Sequence, residues 1–186
     1  MFKSLIIDPP WPYDRTSQNA KLTGYADKQY ALLSIADLAQ LPINKIMDPD
    51  EAYVFMWATG PFLPDAISLL PAWGFKFITS AVWVKSTGMG VGYWFRGDHE
   101  HILVGKRARA PSIRTAKRSV FRIDWPRGRH STKPDFLHEL VEAKFPAPRI
   151  EIFGRRPRKG WVIFGNEAPG DGTDIRASLA ALSMLC

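Results

Sequence analysis

Four consecutive residues near the amino terminus, Asp8-Pro9-Pro10-Trp11, combine a carboxylate, two stiff backbone units and one large ring. They follow directly on the apolar run Leu5-Ile6-Ile7. That run reads as a buried central strand, and in open α/β sheets ligands bind beyond the carboxyl ends of such strands. The four residue types suit a planar base that carries an exocyclic amine. Asp8 can accept one amine hydrogen, and the Pro9 carbonyl, which has no N–H beside it, can accept the other. Pro10 stiffens the turn, and Trp11 can stack on the base. An amine held by two acceptors has its lone pair steered toward an electrophile, which is catalysis by positioning.

A second chemical signal is charge. The chain carries +7 overall, but residues 105–133 hold ten basic residues and one acid. That segment is therefore +9, leaving −2 for the rest of the chain. A local block of this sign points to a polyanion, because paired phosphates release counterions. The candidate phosphate contacts are Arg107, Arg109, Arg114, Lys117, Arg118, Arg129 and Lys133. His99 and His101 flank Glu100 at strand spacing, so both histidines face one side. With no third well-spaced ligand, they read as packing residues and no metal site is expected.

The elements that must position these groups alternate between strands and helices. Strands are expected over 3–8, 52–58, 75–84 (ending at Lys85), 101–105, 120–123, 149–153 and 161–164. Helices are expected over 35–41, 62–73 and from Pro134 to about Lys144. Ser34 with Asp37 and Thr132 with Asp135 have cap spacing. Gly74 closes the second helix. Gly88, Gly90 and Gly92 follow a strand without full dinucleotide-fingerprint spacing, and read as a lid over the site. Tyr13, Tyr25, Tyr30, Tyr93 and Trp94 are candidate stacking faces. Glu151, charged within an apolar strand, is expected at a sheet edge, partnered by Lys133 or an arginine. Residues 167–186 read as a loosely held tail. The alternation predicts an α/β fold, a mostly parallel central sheet with helices on both faces.

Length and composition bound the rest. The 186 residues suit one domain, expected over 1–186, with 46% apolar residues and a globular composition. The only cysteine is Cys186, which excludes an internal disulfide and a multi-cysteine zinc site. No apolar run approaches a membrane span of about 20 residues, and a cytoplasmic protein is expected.

Several short segments in order carry a resemblance. After Asp8-Pro9-Pro10-Trp11 come Phe55-Met56-Trp57 with Thr59-Gly60, and Trp83-Val84-Lys85. His99-Glu100-His101 then precedes Leu103-Val104-Gly105, followed by Ser131-Thr132-Lys133-Pro134. Glu151-Ile152-Phe153-Gly154-Arg155 and Gly165-Asn166-Glu167 complete the order. The sequence resembles the MT-A-seventy family of adenine-N6 methyltransferases in their compact bacterial or phage form. The resemblance implies a Rossmann-like methyltransferase fold, permuted so that the strand before Asp8 comes first. It also implies S-adenosylmethionine as methyl donor. By that likeness Asp8 lies between donor and target amine, and Lys85 pairs with the donor's carboxylate. Phe153 packs on its adenine, and Arg155 and Asn166, with Glu167 beside them, bind its ribose. The implied reaction is methylation of adenine N6 in nucleic acid, in DNA ahead of RNA. RNA methylation, cytosine-N4 methylation and a non-catalytic nucleic-acid-binding subunit are the alternatives. A homodimer is one way for so small a chain to gain recognition surface.

Overall fold

The computed structural model describes residues 1–12, 33–86, 94–124, 132–165 and 174–185. Seven strands form one sheet: β1 (Ser4–Ile7), β2 (Tyr53–Ala58), β3 (Lys76–Lys85), β4 (His99–Lys106), β5 (Val120–Ile123), β6 (Arg149–Ile152) and β7 (Trp161–Phe164). Their order is β5-β3-β4-β2-β1-β6-β7. β1 is central and fully buried, parallel to β2 on one side and β6 on the other. An unbroken apolar run is what a strand covered on both faces requires. β4 alone runs against its neighbours β2 and β3. The sheet is therefore mixed but mostly parallel, a Rossmann-like α/β architecture.

Two apolar layers cover the two faces. One contains Leu5, Ile7, Val54 and Met56; it is packed by α1 (Ile35–Ala39), α2 (Ile43–Ile46), α3 (Leu63–Ala72) and α5 (Ile175–Ser183). The other contains Ile6, Phe55, Trp57 and Trp83, covered by Leu137 and Val141 of α4 (Phe136–Lys144). The period of two along β1 and β2 sends alternate side chains to the two layers.

Local signals explain most element ends. The Ser34 hydroxyl accepts from the Asp37 N–H at 3.1 Å while Asp37 reaches back to the Ser34 N–H, a complete capping box. Trp73 closes α3 and donates its indole N–H to the Leu38 carbonyl at 3.0 Å, tying α3 to α1. Gly74 turns the chain at φ +77°, where a side chain is strained.

Three expectations are corrected. The segment read as a loose tail contains α5, which seats Ile175 and Leu179 in the core. Asp174 caps it by accepting from the Arg176 N–H at 2.8 Å. α4 starts at Phe136, with Asp135 rather than Thr132 at its cap position. Arg107 is buried, not a surface phosphate contact. It follows β4, donates to the Gly74 carbonyl at 2.8 Å, and lies 4.5 Å from the centre of the Phe75 ring. Arg107→Ala is expected to lower stability by about 1 kcal/mol, because the hydrogen bond to Gly74 and the packing on Phe75 are partly offset by two guanidinium nitrogens buried without a hydrogen-bond partner among the described residues. The salt slope of nucleic-acid binding should not move. Thermal unfolding and a salt titration of the variant check the two halves.

Candidate active site

Asp8 is the first residue beyond β1, at the edge where the parallel strands end. After β1 the chain crosses to β2 on one side, and after β6 it continues to β7 on the other. The crevice between the carboxyl ends of β1 and β6 is thus a topological switch point, the usual ligand position in such sheets. Asp8 lies on one lip. Phe153, Gly154 and Arg155 follow β6 on the other.

The turn after Asp8 is rigid. The Trp11 N–H donates to the Pro9 carbonyl at 2.9 Å. A carbonyl oxygen has two lone pairs, so Pro9 keeps one acceptor site for an amine. Trp11 is only 4% exposed and its ring stacks on Phe62, with centroids 5.4 Å apart. The partner of Trp11 is therefore internal. Its ring anchors the turn, a correction to the base-stacking role expected from sequence.

The main feature of the site is a row of alternating charges. Lys133 Nζ lies 2.8 Å from Asp8 Oδ2 and 3.2 Å from Glu100 Oε2. Lys85 Nζ lies 2.9 Å from the other oxygen of Glu100. The row Asp8–Lys133–Glu100–Lys85 rests on two indoles: Lys133 Nζ is 5.6 Å from the Trp57 ring and Lys85 Nζ 5.3 Å from the Trp83 ring. Those rings meet edge to face at 5.9 Å. The indole floor limits water, so each charge depends on its neighbours.

The ionisation pattern follows. Burial pushes the Asp8 carboxyl above its ordinary value, and Lys133 only partly offsets this. Burial acts against charge on Lys133 as well, but Asp8 and Glu100 together outweigh it and hold the ammonium protonated. Glu100 is also buried, yet the two lysines bring its carboxyl below the usual range. Of the two carboxylates in the row, Asp8 is the one whose charge its surroundings favour less. It is also the one at the crevice.

Two lysines of the row have partners other than those expected from sequence. Lys133 is not one of the phosphate contacts: its side chain is 12% exposed and turns inward to Asp8. Lys85, expected to meet a ligand carboxylate, is 9% exposed and pairs with Glu100. Glu100 itself is a site residue that the sequence conceals between two histidines. His99 and His101 do share a side, with ring centroids 5.2 Å apart. Among the described residues no group of three or more His, Cys, Asp or Glu could hold a metal ion. Glu151 lies on β6, inside the sheet rather than at its edge. Its partner is His138, at 3.0 Å, not Lys133 or an arginine.

Across the crevice, Phe153 has φ 66° and packs against the core layer that holds Ile152. Arg155 is half-buried and close enough to Asp8 to favour its charge. Gly154 and Gly165 bring the loops after β6 and β7 together; a Cβ on Gly165 would lie 2.1 Å from the Gly154 carbonyl oxygen. Asn166, Glu167, Arg129, the Gly88–Gly92 run and Tyr13, Tyr25, Tyr30 and Tyr93 lie outside the described residues. Of the basic block, Arg109, Arg114, Lys117 and Arg118 are exposed, and Arg109 reaches Asp50 at 3.2 Å.

A carboxylate and a carbonyl at a strand end, a buried cation beside them and an aromatic residue opposite make a constellation that can align an amine. A family model described as MT-A70 matches residues 2–167. The chain belongs to the MT-A70 family, and it is a methyltransferase. It is 30% identical over 190 residues to the type II methyltransferase M.MunI of Mycoplasma sp, covering 94% of this chain and 81% of that protein. It is 25% identical over 179 residues to the human N(6)-adenosine-methyltransferase catalytic subunit METTL3, covering 91% of this chain but 28% of that subunit. The MT-A70-like N(6)-adenosine-methyltransferase of Drosophila melanogaster is similar at 24% identity, with 27% of its length covered. No helix among the described residues is long and apolar enough to cross a membrane.

Proposed function

We propose that this protein transfers a methyl group from S-adenosylmethionine to the exocyclic N6 of adenine in nucleic acid, with DNA as the polymer. The observation that carries the proposal is Asp8, set at the switch-point crevice beside the Pro9 carbonyl and held by Lys133 at 2.8 Å. The residues present fit the donor chemically. They offer a carboxylate near a sulfonium, a cation for a carboxylate, an aromatic face for a purine and Arg155 for hydroxyls. Lys133, the ammonium nearest Asp8, takes the role that the resemblance assigned to Lys85. When bound, the donor supplies an electrophilic methyl group on sulfur.

Asp8 and Pro9 each accept one hydrogen of the target amine. The lone pair is then directed at the methyl carbon, so that the N–C bond would form in line as the methyl–sulfur bond breaks and its electron pair stays on sulfur as a neutral thioether. The methylated nitrogen, cationic after transfer, releases its proton to water, so Asp8 works mainly by alignment. Phe62 and Trp11 hold the turn against movement, because a small displacement of a near-attack geometry is costly. In a duplex the base must leave the stack, at a cost of a few kcal/mol.

The exposed arginines and lysine of the 105–133 segment supply the phosphate contacts. Replacing Arg114, Lys117 and Arg118 by Gln is expected to lower the salt slope by about 2–3, close to one for each phosphate that is no longer neutralised. An unchanged slope would exclude this segment as the phosphate platform. DNA is favoured because the chain covers 81% of a type II methyltransferase but 28% of an adenosine methyltransferase subunit. Incubation with labelled donor and, separately, DNA and RNA oligonucleotides tests the choice of polymer. Label in DNA supports it, and label confined to RNA reverses it.

A further inference from the structure

β3 and β4 rise above the site. Ile7 is level with Met56 of β2, and Met56 with Leu103 of β4. β4 begins at His99, four residues further toward the crevice edge, or about 13 Å of strand. The segment just before it is pinned, since the Lys85 N–H donates to the Asp98 carbonyl at 2.7 Å. In the segment that leads into β4, Trp94 is 94% exposed and Phe95 is 88% exposed. Two adjacent aromatic side chains so open to water are an unusual use of apolar surface.

The exposed charges around them are mostly basic, and the acid on the same segment, Asp98, lies 2.8 Å from His99. Arg96 is exposed and follows Phe95 directly. Val84 pairs with His99 on one side and Arg122 on the other, so exposed Arg122 lies in the same row of the sheet. Exposed Lys117 and Arg118 precede β5. A second copy packed two-fold on this same edge would bring its own Arg96, Arg122, Lys117 and Arg118 against these cations. Aromatic rings among cations match a polyanion with flat faces instead. Every base has a π-face, so such a surface grips unpaired bases without regard to sequence.

We infer that Trp94 and Phe95 form a stacking platform for unpaired bases flanking the target adenine, with Arg96 and Arg122 on the adjoining phosphates. This rests on the proposal that nucleic acid is the substrate, and it adds that the bound strand is unpaired next to the target. The platform sits on the β4 side of the row that starts at Asp8. A strand with its target base at Asp8 crosses β2 and β4 to reach it. Stacked neighbours hold the strand open and offset part of the cost of unpairing.

The test compares wild type with the Trp94→Ala/Phe95→Ala double variant. Affinities for a fluorescent single-stranded oligonucleotide and its duplex are measured at several salt concentrations, alongside sedimentation of the free protein. Both side chains are solvent-exposed, so the variant should keep its fold and unfolding temperature. The expected result is at least about thirty-fold weaker single-strand binding, with one stacked base lost for each ring. The salt slope stays unchanged because every phosphate-binding cation remains in place, and so does the sedimentation coefficient. Equal affinity of variant and wild type for the single strand would overturn the platform while leaving the substrate proposal standing. A wild type that binds neither nucleic acid would overturn both. A variant that sediments as a smaller species would show that the surface joins two copies of the chain, and would overturn the platform in favour of that interface.

Discussion

Asp8→Asn is expected to lower methyl transfer by about 10³-fold while leaving the unfolding temperature at or slightly above that of wild type. The rate loss follows from positioning. An Asn amide has one acceptor oxygen and no charge, so it cannot accept from both Lys133 and the amine as the carboxylate does; losses of about 10²–10⁴ are usual for a mispositioned group. The stability result follows from the ionisation of the site. Burial holds the Asp8 carboxyl above its ordinary value, so its charge is net unfavourable in the folded state despite Lys133. Removing it leaves Lys133 paired with Glu100 at 3.2 Å. A group kept for chemistry at some cost in stability behaves in this way. A variant that loses activity together with several degrees of stability would show Asp8 to be a structural residue.

Lys133→Met should differ in stability, with a large loss of both stability and activity. Lys133 separates two carboxylates, at 2.8 and 3.2 Å. Without it, Asp8 keeps its burial and faces Glu100, while Glu100 keeps only Lys85 in the row. Breaking a buried pair by removing one partner costs about 3–5 kcal/mol. For a chain of this length that corresponds to a fall on the order of 10 °C in Tm.

The sign of the pH dependence is definite. Without the ammonium, the folded-state values of both carboxyls rise above their unfolded values of about 4. The folded variant then binds protons that the unfolded chain does not, so its stability falls as pH rises through that window. The deficit relative to wild type should be greatest near neutrality and should narrow as pH falls toward about 4. Unfolding curves of both proteins across that range decide it, and a pH-independent deficit would mean that the loss of packing over Trp57, not charge, is responsible.

These two residues also show what is legible in the sequence. Asp8 is legible because its signal is local: an apolar run, a carboxylate and two prolines within a few positions. Ser34 with Asp37 is legible for the same reason, and the capping box forms at the expected place. Lys133 is 125 positions from Asp8. Charge counted along the chain cannot tell a cation facing phosphates from one turned into a crevice, so Lys133 and Arg107 both read as surface residues. Glu100 is hidden by its neighbours, since the flanking histidines look more like the chemical residues until the β3–β4 pairing sets Glu100 opposite Trp83. α5 is obscured because the Pro-Gly-Asp-Gly stretch before it reads as a breaker. The Ile175 and Leu179 spacing of four, enough to mark a buried face, is the available signal. The fold class is insensitive to these errors because it depends on the alternation of elements and not on their partners.

The identity of the methylated nucleoside tests the role of Asp8 and its crevice most directly. Purified protein and its Asp8→Asn variant are incubated with labelled S-adenosylmethionine and DNA, and the product is digested to nucleosides. Alignment of adenine N6 by Asp8 and Pro9 predicts label in N6-methyladenine with wild type and almost none with the variant. Label in N4-methylcytosine, or none from a wild type that binds both donor and DNA, would contradict it.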